Sequence, residues 1–250
     1  MPRMAAKTTM ATLRALGAAL RARLPGVPSA APPPPGRVRL GDLRRVVPIS
    51  REFGFDRGVP VDRYFIEQFL ARNASVIHGR VLEIGDDAYT RRFGAGRVMQ
   101  RDVLHVHDGN PQATFVGSLV SADHVPSDAF DCVILTQTLH LIYDVPAALR
   151  TVRRILKPGG TLLATFPGIS QQSIDEWRTT WFWSFTTLSA RRLMAETFGE
   201  SAVEIEAHGN VLAAIAFLHG LAEHELTRHE LEHHDPAYEL LITARAHKAV

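Results

Sequence analysis

An apolar run, Arg80-Val-Leu-Glu-Ile-Gly-Asp86, carries an acid at Glu83 and a glycine at Gly85, then acids at Asp86 and Asp87. In an α/β protein, a strand that ends this way seats a nucleotide-like cofactor at its carboxyl end. Gly85 removes the Cβ that would hold a ligand off the backbone. Asp102 lies 19 residues beyond Glu83. Doubly wound folds place the acid that accepts the ribose hydroxyls at about that offset. The further glycines that let a pyrophosphate approach a helix N-terminus are absent, and Asp87 and Tyr89 stand in their slots. Carboxylates there repel pyrophosphate and argue against NAD or FAD. They suit a ligand with no phosphate and a positive charge, and Asp tolerates the left-handed backbone of such a turn.

The elements that must position these groups follow from periodicity and caps. Asp62 is placed to cap a helix whose Phe65, Ile66, Phe69 and Leu70 share one face. Strands are expected at about 80–85, 97–106 in two short pieces, 113–117 and 131–136. The last of these is apolar enough to be buried on both faces. Asp144 caps a helix with Pro146 in its first turn and Leu149, Val152, Ile155 and Leu156 on its apolar face. Lys157-Pro-Gly-Gly160 ends that helix in a tight turn, and a strand follows over 161–166. Alternating strands and helices predict an α/β fold: a Rossmann-like, doubly wound, mostly parallel sheet.

The chain has 250 residues and a formal net charge of +2. Residues 1–41 hold seven Lys/Arg and no Asp/Glu, whereas the remainder holds 21 basic and 26 acidic residues. The excess is therefore a basic tail on a mildly acidic domain, which argues against nucleic acid as a partner. Residues 1–36 read as that tail. Leu13, Leu16, Leu20 and Leu24 recur at helical spacing, and six prolines follow from Pro25 to Pro35. Such a basic helix suits contact with a membrane surface or a partner protein. The folded domain is expected over 37–250. One cysteine, Cys132, and no apolar run of about 20 residues point to the cytoplasm and to no transmembrane segment.

Together the pieces resemble class I methyltransferases that use S-adenosyl-L-methionine. Val81-Leu-Glu-Ile-Gly85 resembles their first motif, and Phe130-Asp-Cys-Val-Ile-Leu135 their fourth strand. Ala148 to Gly160 resembles their passage through Leu-Lys-Pro-Gly-Gly into strand five. Ile49-Ser-Arg-Glu-Phe-Gly-Phe-Asp-Arg-Gly58 and Asp62-Arg-Tyr64 are similar to bacterial methyltransferase-domain proteins of glycan or secondary-metabolite pathways. The resemblance implies seven strands with an antiparallel last strand, and S-adenosyl-L-methionine as cofactor. It implies cofactor contacts from Tyr64, Glu83, Ile84, Gly85, Asp86, Asp87, Asp102, Leu119 and Gln137. Glu83 and Gln137 would serve the methionine end and Leu119 the adenine. Ser118 stands where many relatives have an acid for the adenine amino group.

Methyl transfer to a hydroxyl needs a base, and His140, just after strand four, is the candidate. Residues 177–185, dense in aromatics, follow strand five, where the family places acceptor-binding structure. Trp177 and Trp181, with Tyr143 and His233, are the acceptor-binding candidates, and Trp183 extends the aromatic wall. Strands six (202–206) and seven (239–246) enclose a long connection, about 208–237, read as a cover over the acceptor site. It holds an apolar helix near 211–222. Its His229 and His233 are spaced i, i+4, but no metal motif accompanies them, and a solvated face is expected. The expected function is methylation of a small molecule, a sugar or natural-product hydroxyl. The rival is a catalytically silent methyltransferase-like module that binds a partner enzyme.

Overall fold

A computed structural model describes residues 32–250; the expected basic helix and most of the proline-rich linker lie outside the described residues. The chain divides after Arg45. In the first unit, residues 32–45 contain one 3-10 turn, Gly41–Leu43. The second unit is Val46–Val250.

The second unit holds seven strands and six helices among the described residues. The strands are β1 (Gly79–Ile84), β2 (Val98–His105), β3 (Phe115–Val116), β4 (Phe130–Leu135), β5 (Leu156–Pro167), β6 (Val203–His208) and β7 (Leu241–His247). They form one sheet in the order β3-β2-β1-β4-β5-β7-β6. Only β7 runs antiparallel to its neighbours, as the sequence led one to expect. Strand order reverses between β1 and β4, so their carboxyl ends open a crevice at the switch point.

Alternate residues of the central strands feed two cores, as the two-residue period of a strand requires. Leu82, Val133, Leu135 and Leu162 pack on one face with α3 (Val145–Ile155) and α4 (Thr187–Phe198). Val81, Cys132, Ile134 and Leu163 pack on the other with α1 (Val61–Arg72) and α5 (Val211–Leu218). Two short helices complete the set, α2 (Ala88–Gly94) and α6 (Arg228–Glu232). Asp144 caps α3 as expected, its side chain accepting from Ala147 N at 2.9 Å. No helix among the described residues is long and apolar enough to cross a membrane.

Five local expectations change. Asp62 does not cap α1: Pro60 holds the cap position without a side-chain bond, and Asp62 lies buried in the first turn. The second strand is continuous, and the third is only two residues long. The turn after α3 is absorbed into β5 as a bulge, and the register with β4 jumps from Phe130↔Leu156 to Cys132↔Thr161. Gly160 permits this, because a Cβ there would sit 3.0 Å from the Phe130 carbonyl oxygen. The apolar helix of the connection ends at Leu218.

That connection is fastened to residues 49–60. Ile49 N and Ser50 N both donate to the His219 carbonyl, each at 3.0 Å, and Glu223 N donates to the Val59 carbonyl at 2.7 Å. Pro60 and Ala222 form an antiparallel bridge.

Candidate active site

The first turn is built around Gly85. Its φ of +94° is one that side-chain-bearing residues rarely adopt, and nothing lies within 4 Å of where its Cβ would be. One side of this backbone is therefore open. Asn110 Nδ2 donates to the Gly85 carbonyl at 2.7 Å, so the loop after β2 holds the turn in place. Glu83 is buried and turned towards the start of α2, accepting from Tyr89 N at 3.2 Å and Thr90 N at 2.7 Å. Two free amides at a helix start are a natural seat for a carboxylate. Glu83 thus fixes the turn instead of presenting itself to a ligand. Desolvation raises its pKa from 4.5 to about 7, against the opposing pull of those amide bonds.

Asp86 is exposed, and its Oδ1 accepts from Ala88 N at 2.8 Å. Asp87 is ion-paired with Arg91 at 2.5 Å and Arg101 at 3.2 Å. The expectation that both acids face a cation therefore needs correcting: the Asp87 charge is already met by two arginines.

Asp102 also needs correcting. It lies within β2, opposite Leu82 of β1, and β2 runs on to His105. Its carboxylate is buried and engaged by Arg80 Nε at 2.7 Å and Gln100 Nε2 at 3.1 Å. The residues at the strand's end are His105 and, in the following loop, His107 and Asp108. Replacing Asp102 by Asn should cost about 3 kcal/mol or more, because it leaves Arg80 without its partner in a partly buried site. Denaturant unfolding would measure that loss, and affinity for S-adenosyl-L-methionine should stay within about threefold of wild type, less than the tenfold step of about 1.4 kcal/mol. Ser118 caps the 3-10 turn Leu119–Ser121, its Oγ accepting from Val120 N. Leu119 itself is buried in the core with Ala122 and Val125, so its side chain is packing and not a ligand surface.

On the other side of the crevice, the chain beyond β4 makes a strained turn. Gln137 has φ +45° and is held there by its backbone N–H, which donates to Thr165 Oγ1 at 3.0 Å. Its Nε2 donates to Asp62 Oδ2 at 3.1 Å, whereas its buried Oε1 has no hydrogen-bond partner. Arg63 also contacts Asp62 Oδ2, at 3.2 Å. Three residues on, His140 is buried with its Nδ1 unpartnered. Burial, and then the Arg63 charge, push its pKa from 6.5 down to about 4. Its ring lies 4.3 Å from that of Trp181, which stacks in turn on Phe53. Phe53 has a positive φ of 56° and also packs on Phe217 of α5. Residues 49–60, the aromatic segment and the connection after β6 thus meet through Phe53 and Trp181 beside His140.

These shifts oppose one another in acid. Glu83, raised to about 7, favours the folded state below 4.5, and that contribution is lost as pH rises through about 7. His140 and His208, both lowered to about 4, favour it above 6.5 and lose their contributions as pH falls through about 4. Two histidines outweigh one carboxyl, so the melting temperature should fall between pH 6.5 and 4. The fall should be steeper in Glu83→Gln and shallower in His140→Gln; melting curves across that range test both.

The remaining candidates separate. Ile84 ends β1, half-buried beside the turn. Tyr64 points to the connection after β6, where its hydroxyl donates to Glu232 Oε1 at 3.1 Å. Trp177 sits in the 3-10 turn Glu176–Thr180, half-buried. His233 is exposed at the end of α6; its N–H donates to the His229 carbonyl at 3.1 Å and its carbonyl accepts from Asn210 Nδ2 at 2.7 Å, so its backbone is held by the connection itself. His229 is exposed as well, and no group of three or more metal-ligating residues occurs among the described residues. Sequence reasoning missed Arg63, Phe53 and the part Asp62 plays with Gln137. The one signal for them was the pair of runs at 49–58 and 62–64.

A family described as "Methyltransferase domain" matches residues 42–200, which span both sides of the crevice. The chain belongs to the methyltransferase-domain family. Among solved structures, a SAM dependent methyltransferase from Archaeoglobus fulgidus is similar in fold. It is 12% identical with a TM-score of 0.51, over 74% of this chain and 94% of that one. The N-methyltransferase NodS from Bradyrhizobium japonicum, in complex with S-adenosyl-L-homocysteine, is 15% identical with a TM-score of 0.48, over 80% of this chain and 96% of that one. No curated protein matches the chain by sequence. The cofactor of this methyltransferase domain is S-adenosyl-L-methionine, and two features of the site fit it. The open side of Gly85 leaves room for a ligand against the backbone, and the unpartnered Gln137 Oε1 offers an acceptor to an ammonium.

Proposed function

We propose that this methyltransferase-domain protein uses S-adenosyl-L-methionine to methylate a hydroxyl of a small molecule, a sugar or natural product, in the cytoplasm. The observation that carries the reading is His140: buried, uncharged at neutral pH, unpartnered at Nδ1 and set at the carboxyl edge of the sheet. The cofactor, when bound, supplies a methyl group already activated by its sulfonium. The chain then has to bind, align and desolvate.

Gly85 gives backbone access on the adenosyl side. Asp108 and His105, at the end of β2, take the ribose role first expected of Asp102. Asp62 and Gln137 hold the ammonium, one by charge and the other through its free Oε1. His140 accepts the acceptor's hydroxyl proton, and its depressed pKa keeps it a free base throughout the neutral range. Trp181 and Phe53 exclude water from that side.

Calorimetric titration with S-adenosyl-L-methionine, followed by methyl-transfer assays on a panel of hydroxylated acceptors, tests the reading. Binding with transfer supports it. No binding at millimolar cofactor overturns it in favour of the silent, partner-binding module. Binding with transfer only to amines removes the hydroxyl assignment.

A further inference from the structure

Beyond His140 lie three exposed aromatic rings that neither the fold nor the proposed chemistry uses. Tyr143 is 70% exposed, Phe182 46% and Trp183 39%. Tyr143 stacks on Trp183 at 5.7 Å and 24°, and meets Phe182 edge-on at 5.4 Å. In the same segment Phe185 is buried against Phe166, so the chain has the means to hide a ring here.

The exposed rings are not loose. Phe182 N and Trp183 N donate to the His140 carbonyl, at 2.9 and 3.3 Å. Trp183 Nε1 donates to the Ile142 carbonyl at 3.0 Å. The rings are therefore anchored to the turn that carries the candidate base. Chain direction links the two: Trp181 points inward to His140, and the next two residues point outward to Tyr143.

We infer that Tyr143, Phe182 and Trp183 form an outer acceptor subsite that stacks a pyranose ring, leaving a hydroxyl further along the acceptor to reach His140. This rests on the proposed methyl transfer and specifies its substrate class. An anchored aromatic pair offers large contact area at little entropic cost, and its rings are apolar on the face and polar at the tip. A sugar ring has the matching character, with C–H groups on its faces and hydroxyls at its rim. Residues 177–185 contain one charged side chain, Arg178. The shelf therefore suits a neutral ring better than an ionic one.

Saturation-transfer NMR on the full chain tests this, with methyl glucopyranoside, methyl mannopyranoside and methyl rhamnopyranoside as probes and phenol and cyclohexanol as controls. Transfer to the ring C–H protons of a pyranoside is expected, with binding at least about tenfold weaker in Trp183→Ala and in Tyr143→Ala, a loss of about 1.4 kcal/mol. Trp183→Phe keeps the ring and should recover most of the binding. Titration of the same preparations with S-adenosyl-L-methionine separates this idea from the function it rests on: cofactor affinity should be unchanged in the shelf variants, which also shows that they fold. If the wild type binds no cofactor, the methyl-transfer reading fails whatever the shelf does. With cofactor bound, pyranoside signals indifferent to both alanine variants overturn the subsite. So does stronger binding of phenol than of any pyranoside, or no pyranoside binding at all.

Discussion

Replacing His140 by Gln is expected to lower methyl transfer by about 10²- to 10⁴-fold, the usual contribution of a positioned base. Affinity for S-adenosyl-L-methionine should be unchanged. The wild type carries a second signature. A solvent-exposed histidine would lose activity below pH 6.5, whereas this one, held at about 4 by burial and by Arg63, keeps its free base well below that. The acid limb of the rate profile should therefore lie nearer 4 than 6.5, in so far as the fold survives. Transfer rates across pH on an acceptor found by the panel measure both effects. A variant within twofold of wild type would remove His140 from the chemistry.

The second large effect is expected at Gly85. Its φ of +94° is costly for any side chain, by about 1–3 kcal/mol. Because nothing lies within 4 Å of its Cβ position, Gly85→Val pushes no neighbouring atom aside at that carbon. The fold should survive with a modestly lowered melting temperature. The new side chain would occupy the open side of the turn, and cofactor affinity should fall by about 100-fold or more, equivalent to about 3 kcal/mol. Calorimetry on Gly85→Val and Gly85→Ala separates strain from blockage: equal losses mean strain, a larger loss in Val means blockage. Wild-type affinity in both variants would refute the placement of the cofactor.

The parts of this site that were legible in the sequence are those written locally. Val81 to Gly85, the apolar β4 and the Asp144 cap are each specified within a few residues, by period and by hydrogen-bonding type. Asp102 was misplaced because an offset counted along the chain carries no record of where a strand ends. β2 continues to His105, so the nineteenth residue beyond Glu83 falls mid-strand, where Arg80 claims it. Asp62 was misread for a different reason. A helix start makes an acid look like a cap, and its true partner, Gln137, is 75 residues away. Phe53 and Trp181 share that difficulty, since their contact exists only after residues 49–60, β5 and the connection after β6 have come together.

The pairing of residues 49–60 with 219–223 bears on how such a protein could be re-engineered or diversify. Two stretches at opposite ends of the domain share backbone hydrogen bonds and a bridge. The family match over 42–200 includes the first stretch and stops before the second. A chimera that exchanged only the second would bring backbone groups shaped for a foreign counterpart, and buried amides and carbonyls tolerate such orphaning poorly. The two stretches are therefore best grafted together, as one cassette. Transplanting both onto a related scaffold is the rational unit of exchange for testing whether they set the acceptor.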